Sequence, residues 1–322
     1  MIRYILKRIL LMIPVMLGVA LIIFTIMYFV PGDPVESILG KDATPEDKQA
    51  QRVLMGLDRP YIVQLGNYLY RLFIKFDFGT SYVFKNSVFK EITVRFPRTL
   101  SFAVACMLIN ALIGIPLGIT AAVHQNGLAD RLCMFVALLG VSLPNFWVAI
   151  MLVLLFALHL RWLPAYGFTS VKNYILPVVA TSLHGIGGLA RQTRSSMLEV
   201  IRSDYVTTAR AKGLSERTIL YKHALPNGLI PVITMVGQSL GMSLAGALII
   251  ENVFSIPGMG MYLTAGVTSR DYPIVRGVVV FLALAFSIIM LTVDLAYAFA
   301  DPRIKAQYEN LNRKREKVKS NA

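Results

Sequence analysis

The residues able to do chemistry in this chain are few and scattered. Cys106 and Cys133 both lie within apolar runs, which suits packing better than a disulfide framework or a thiolate metal site. His159 and His184 border or enter apolar runs with no carboxylate or thiol beside them, so no metal site is expected, and interfacial or helix-to-helix hydrogen bonding is the plainer account. Asp294 stands inside the last apolar run, where an ionised group costs roughly 2.5–3.5 kcal/mol on insertion scales. It is a candidate intramembrane polar site, and its nearness to Asp301-Pro302-Arg303 favours pairing with a basic residue or access to water over contact with a ligand. No Gly-x-x-x-x-Gly-Lys-Ser/Thr loop, His-Glu-x-x-His helix or Gly-x-Ser-x-Gly elbow occurs. The chain is therefore expected not to be an enzyme, to have no catalytic residues and to bind no cofactor itself.

The elements that position these residues belong in a bilayer. The chain has 322 residues, 56% of them hydrophobic and only 16% charged, against about 25% charged for an average soluble domain. An all-α membrane protein follows, with six segments near the length needed to span hydrocarbon: 9–30, 98–123, 132–159, 175–193, 228–250 and 275–299. The fourth is the weakest, carrying Pro177, His184 and Gly185-Ile-Gly-Gly188; glycines there permit close helix approach. The net charge of +14 sits in loops beside apolar runs and is not interleaved with aromatics on one face, so nucleic acid is not the expected partner. Arg3, Lys7 and Arg8 before the first run resemble a signal peptide in charge order. The run is too long and lacks a small-x-small cleavage site, so it is expected to stay as the first span.

Lys and Arg cluster at the N-terminus, in the loop after the fourth span (Arg191 to Lys222) and in the tail (Arg303 to Lys319), which places both termini in the cytoplasm. The expected divisions are 1–30, the cytoplasmic N-terminus with the first span; 31–97, an extracytoplasmic subdomain; 98–303, the transmembrane core; and 304–322, a cytoplasmic tail. Within 31–97, Pro31-Gly-Asp-Pro34 is a stop and turn, Thr44-Pro-Glu-Asp47 reads as a capped helix start, and Tyr61 to Phe76 has helical apolar spacing. The stretch 252–274 reads as an external loop in which Phe254 to Gly260 either reaches outward or forms a re-entrant connection. Trp147 and Trp162 suit an interfacial belt, and Met242, Met259 and Met261 suit core packing or an adaptable path.

The segment from about 199 to 226 is basic, with helix formers on both sides of one glycine, and reads as helix, break, helix. Gly213 is a natural stop with Lys212 before it, Ser215 caps the next helix and Pro226 marks entry to the fifth span. Such an elbow projecting from the membrane suits force transmission from a soluble partner, while a basic loop that only fixes topology is the plainer alternative.

Particular residues favour the first. Thr207-Thr-Ala-Arg-Ala-Lys-Gly213, with Leu225-Pro226 beyond it, resembles the cytoplasmic signature of importer-type ABC permeases. Thr207 and Thr208 stand where that signature has Glu and Ala, and His223 replaces an apolar residue. Further matches run in order along the chain: Pro31-Gly-Asp-Pro34, Phe76-Asp-Phe-Gly-Thr-Ser-Tyr82, Ser142-Leu-Pro-Asn-Phe146, Asp204-Tyr-Val206, Ala209-Arg-Ala-Lys-Gly-Leu214, Val253-Phe-Ser-Ile-Pro-Gly-Met-Gly260, Arg270-Asp-Tyr-Pro273 and Asp301-Pro-Arg-Ile304. Together they resemble the type B permease of the oligopeptide, dipeptide, glutathione and nickel branch.

The resemblance implies a type I importer fold of six transmembrane helices and a membrane-spanning subunit of an ATP-driven, binding-protein-dependent importer. Its substrate is expected to be an oligopeptide or dipeptide, with nickel or glutathione as alternatives. The implied partners are a second, type C-like permease, two cytoplasmic ABC ATPase domains that use ATP and Mg, an extracytoplasmic solute-binding protein and the lipid bilayer, in a bacterial or archaeal plasma membrane. The ATPase-coupling residues would be Arg202, Asp204, Tyr205, Thr207, Thr208, Ala209, Arg210, Ala211, Lys212, Gly213, Leu214, Leu225 and Pro226. An ion-coupled secondary transporter, the rival from another class, would show functional acids and broken helices repeated in two halves, and no such repeat is seen. A membrane enzyme lacks its nucleophile and metal constellations.

Overall fold

The computed structural model describes residues 2–40 and 42–300. The first helix, α1 (Ile2–Phe29), ends where the Pro31-to-Pro34 cluster begins. Asp33 then caps α2 (Pro34–Leu39), accepting from the Val35 amide at 2.9 Å. Thr44 caps α3 (Pro45–Met55) by accepting from the Asp47 amide at 3.1 Å, and α4 (Tyr61–Ile74) follows, so the helix starts read in this segment form as expected.

Ser87 starts α5 (Val88–Val123), a helix of 36 residues, about 54 Å at ~1.5 Å per residue. It begins ten residues before the expected span and carries Pro97 inside, so one helix crosses the boundary at residue 98. The third span is not a straight helix. α6 (Leu128–Ser142) and α7 (Asn145–Leu152) meet at 97°, because Pro144 has no amide to donate and holds Leu143 extended at ψ 129°. From α7 the chain runs into a wider, π-helical stretch, Val153–His159.

The weakest span in composition becomes α8 (Val171–Ile201), unbroken through Pro177 and its glycines. It lies centrally, against α5, α6, α7 and α12. Small residues allow this. Gly114 and Gly118 of α5 face the Ile186 and Ala190 carbonyls, Gly140 of α6 faces that of Leu183, and Gly187 of α8 faces that of Ala137. Next come α9 (Asp204–Ala211), α10 (Glu216–Thr218), a π-helical stretch Ile219–Ala224, α11 (Leu225–Gly228) and α12 (Ile230–Val253).

The 252–274 stretch is no plain loop. Phe254 and Ile256 turn into the core at 1% and 0% exposure, α13 (Met259–Thr268) follows, and α14 (Tyr272–Ala300) crosses back. Among the described residues three helices have the length and apolarity of a span, or five if the two bent pairs, α6–α7 and α10–α12, each count as one. The 31 residues of α8 reach across, but its polar inner face lowers its apolarity.

Candidate functional site

The segment between α8 and α12 is built in three turns, not the two helices read from sequence. α8 closes at Ile201, Arg202 and Ser203 form an additional break, and α9 starts with Ser203 extended at ψ 153°. Gly213 supplies the second bend at φ +78°, a left-handed conformation that glycine adopts at little cost. Ser215 then caps α10, accepting from the Thr218 amide at 3.3 Å, and Pro226 sits in the first turn of α11.

Two faces result. Val206, Ala209 and Ile219 are buried together and hold α9 against the following turn. Arg202, Asp204, Tyr205, Thr207, Thr208, Arg210, Ala211, Lys212, Gly213, Leu214 and Pro226 are exposed, and Leu225 is half-buried. Of the residues read from sequence, Ala209 thus supports the elbow from within, and the others except Leu225 form its outer surface. Across the bend, Arg210 donates from Nε (2.7 Å) and Nη2 (3.2 Å) to the two Glu216 oxygens. Those hydrogen bonds hold the Glu216 carboxyl below the usual range and raise Arg210 further.

The base of the elbow is fixed to the bundle. Ala122, Met197 and Ala224 are buried together, with Leu220 and Leu225 packed on them. Gly228 sits against Met197, and Arg202 donates to Gln125 at 3.1 Å. Just beyond, Arg194 of α8 donates to both oxygens of Asp130 of α6 at 2.6 and 2.7 Å, with Asp130 4% exposed. Sequence reasoning passed over this pair because its members are 64 residues apart.

Asp294, on α14, pairs with Arg8 of α1 at 2.9 Å. His159 and His184 are exposed, and no group of three metal-ligating side chains occurs among the described residues. Met259 is core, while Met242 is 70% exposed. At the other end of α5 sit two buried carboxylates, Glu251, which the sequence did not single out, and Asp271, which lies in the Arg270-to-Pro273 motif. Glu251 accepts from Thr99 Oγ1 (2.6 Å) and the Gly260 amide (2.6 Å), fixing the start of α13 to α5. Asp271 accepts from Ser81 Oγ (2.6 Å) and the Val83 amide (2.9 Å), fixing the 31–97 segment to the α13–α14 turn.

A bundle of long apolar helices around a glycine-lined central helix, with a braced elbow at one end, defines a multi-pass membrane protein. Residues 114–306 match the family described as binding-protein-dependent transport system inner membrane component, and residues 1–103 match the N-terminal family of the same components. The chain belongs to this family, the permease subunits of ABC importers. It is 42% identical over 309 residues to a chain of Brucella abortus (strain 2308) named for a peptide transport system permease, covering 94% of this chain and 98% of that one. It is 39% identical to the dipeptide transport system permease protein DppB of Alkalihalophilus pseudofirmus (95% and 100% covered). It is 40% identical to the glutathione transport system permease protein GsiC of Salmonella typhimurium (95% and 99% covered). A solved structure of the MetNI methionine ABC transporter in inward-facing conformations shares the fold at TM-score 0.58 and 16% identity, over 66% of this chain and 97% of that chain.

Proposed function

We propose that this permease admits peptides, dipeptides first, through a path it forms with a second permease, and that the elbow at 202–226 receives the ATPase. The single observation that carries the coupling role is the division of α9 into a buried seat (Val206, Ala209) and an exposed face, with the bend braced by Arg210 and Glu216. A soluble domain pressing on that face moves α5 and α8 through the packing of Ala122, Met197, Ala224 and Leu225. The peptide assignment is supported by the relatives named for peptide and dipeptide transport.

In this reading two cytoplasmic ATPase domains bind ATP and Mg, this chain binds no cofactor, and a solute-binding protein delivers the peptide outside. The termini and the elbow lie in the cytoplasm of a bacterial or archaeal cell, and 31–97 lies beyond the opposite face. The basic loops support that orientation. The test is dipeptide uptake into proteoliposomes holding this chain with its cognate permease, ATPases and binding protein. Uptake that requires ATP, and retained ATPase activity without uptake in Gly213→Pro, are expected. Equal uptake without ATP would sink the reading.

A further inference from the structure

The end of the bundle that carries 31–97 holds a buried cation that transport does not explain. Arg276, near the start of α14, is 8% exposed, with its guanidinium over the rings of Phe24 (4.2 Å), Tyr272 (5.1 Å) and Tyr68 (5.5 Å). Among the described residues no carboxylate pairs with it, and its Nε has no hydrogen-bond partner. The hydroxyl of Tyr68 is also buried and unpartnered. Burial pushes that phenol up to about 12, with Arg276 opposing, so it stays a donor. Aromatic faces attract a guanidinium but accept little of its directed hydrogen bonding, and buried donors without acceptors are rare.

Both groups line a cavity of about 490 Å³ between α1, α4 and α14, and Arg276 also lines a neighbouring one of about 280 Å³. Arg71 and Lys75 add positive charge to the larger cavity and Asn67 adds an amide, while the Gln64 amide already donates to the Leu57 and Arg59 carbonyls at 3.1 and 2.7 Å. Asp77 is the acid of the lining, outnumbered by these cations, and one of its oxygens accepts from the Gly79 amide at 2.8 Å. Donors of this kind select an oxyanion. The rim selects what carries it. Val53 and Leu54, which line the same cavity, are 54% and 81% exposed. An apolar rim around a cationic pit, in a membrane protein, fits a molecule with acyl chains and a charged head.

We propose that this cavity holds the phosphate of a phospholipid headgroup, with Arg276 and Tyr68 as the buried donors and Arg71 as the cation at its entrance. The test is native mass spectrometry of the full chain with its co-purifying subunits, titrated with phosphatidylglycerol, diacylglycerol of the same chains, inorganic phosphate or a dipeptide. One tightly held phosphatidylglycerol per chain is expected, with diacylglycerol not retained. Occupancy should fall about tenfold or more in Arg276→Gln, which removes a charge-assisted donor, and by a smaller factor in Tyr68→Phe and Arg71→Gln. Unchanged occupancy in Tyr68→Phe and Arg71→Gln, both of which preserve packing, would overturn the proposal. So would displacement of the lipid by inorganic phosphate or by the dipeptide.

Discussion

Arg210 and Glu216 meet across Gly213 through two parallel hydrogen bonds, a geometry that lysine cannot reproduce because its ammonium is a point charge. Arg210→Lys is therefore expected to keep ATPase activity in the assembled complex while lowering transport per ATP, read as the ratio of the two rates in proteoliposomes. The pair also sets a pH response. Since Glu216 is held below its ordinary value of 4.5, it supports the elbow fully above that pH, and the support is lost as the pH falls through the lowered value. Protease protection of the elbow should thus be flat from neutrality down to about pH 4.5 and decline only in stronger acid; Glu216→Gln should abolish the acid step. Glu251 is the opposite case, fully buried with three donors aimed at it. Glu251→Ala leaves these without an acceptor and is expected to cost roughly 3 kcal/mol, measured as a lower thermal unfolding midpoint in detergent.

Among the elements, the bend at Gly213 has space for a side chain, since nothing lies within 4 Å of where a Cβ would stand, yet its φ of +78° penalises one. Gly213→Ala should cost about 1–2 kcal/mol locally, and Gly213→Asn less, because Asn visits the left-handed region. Gly213→Pro cannot reach that φ at all, so the series Gly, Asn, Ala, Pro is expected to order the loss of transport. The helix starts at Thr44 and Ser215 and the stop at Gly213 were legible because caps and glycine stops act within four residues. The right-angled corner at Pro144 was not, since a proline inside an apolar run reads equally as a kinked span, and only packing of α7 onto α8 decides its angle. The extra break at Ser203 escaped for a similar reason: serine beside Asp204 is as common at a cap as on a helix surface.

For the molecule as a whole, apolar runs announced a helical membrane protein, but the polar ties between distant parts carried no local signal. Asp130 with Arg194, Glu251 with Thr99 and Asp271 with Ser81 join residues 64, 152 and 190 apart. The seat of α8 depends equally on distant glycines, and Gly118→Leu is expected to push α8 off α5, giving a chain that inserts but is cleared from the membrane, read as low steady-state yield. The tie at Asp271 also bears on how the protein is made. Ser81 and Val83 leave the ribosome long before their acceptor exists, and at ~5–20 residues per second the 190-residue interval lasts roughly 10–40 s. During that time the segment after α1 is held without its buried anchor. The newborn permease therefore closes like a clasp, its first hundred residues waiting for its last fifty.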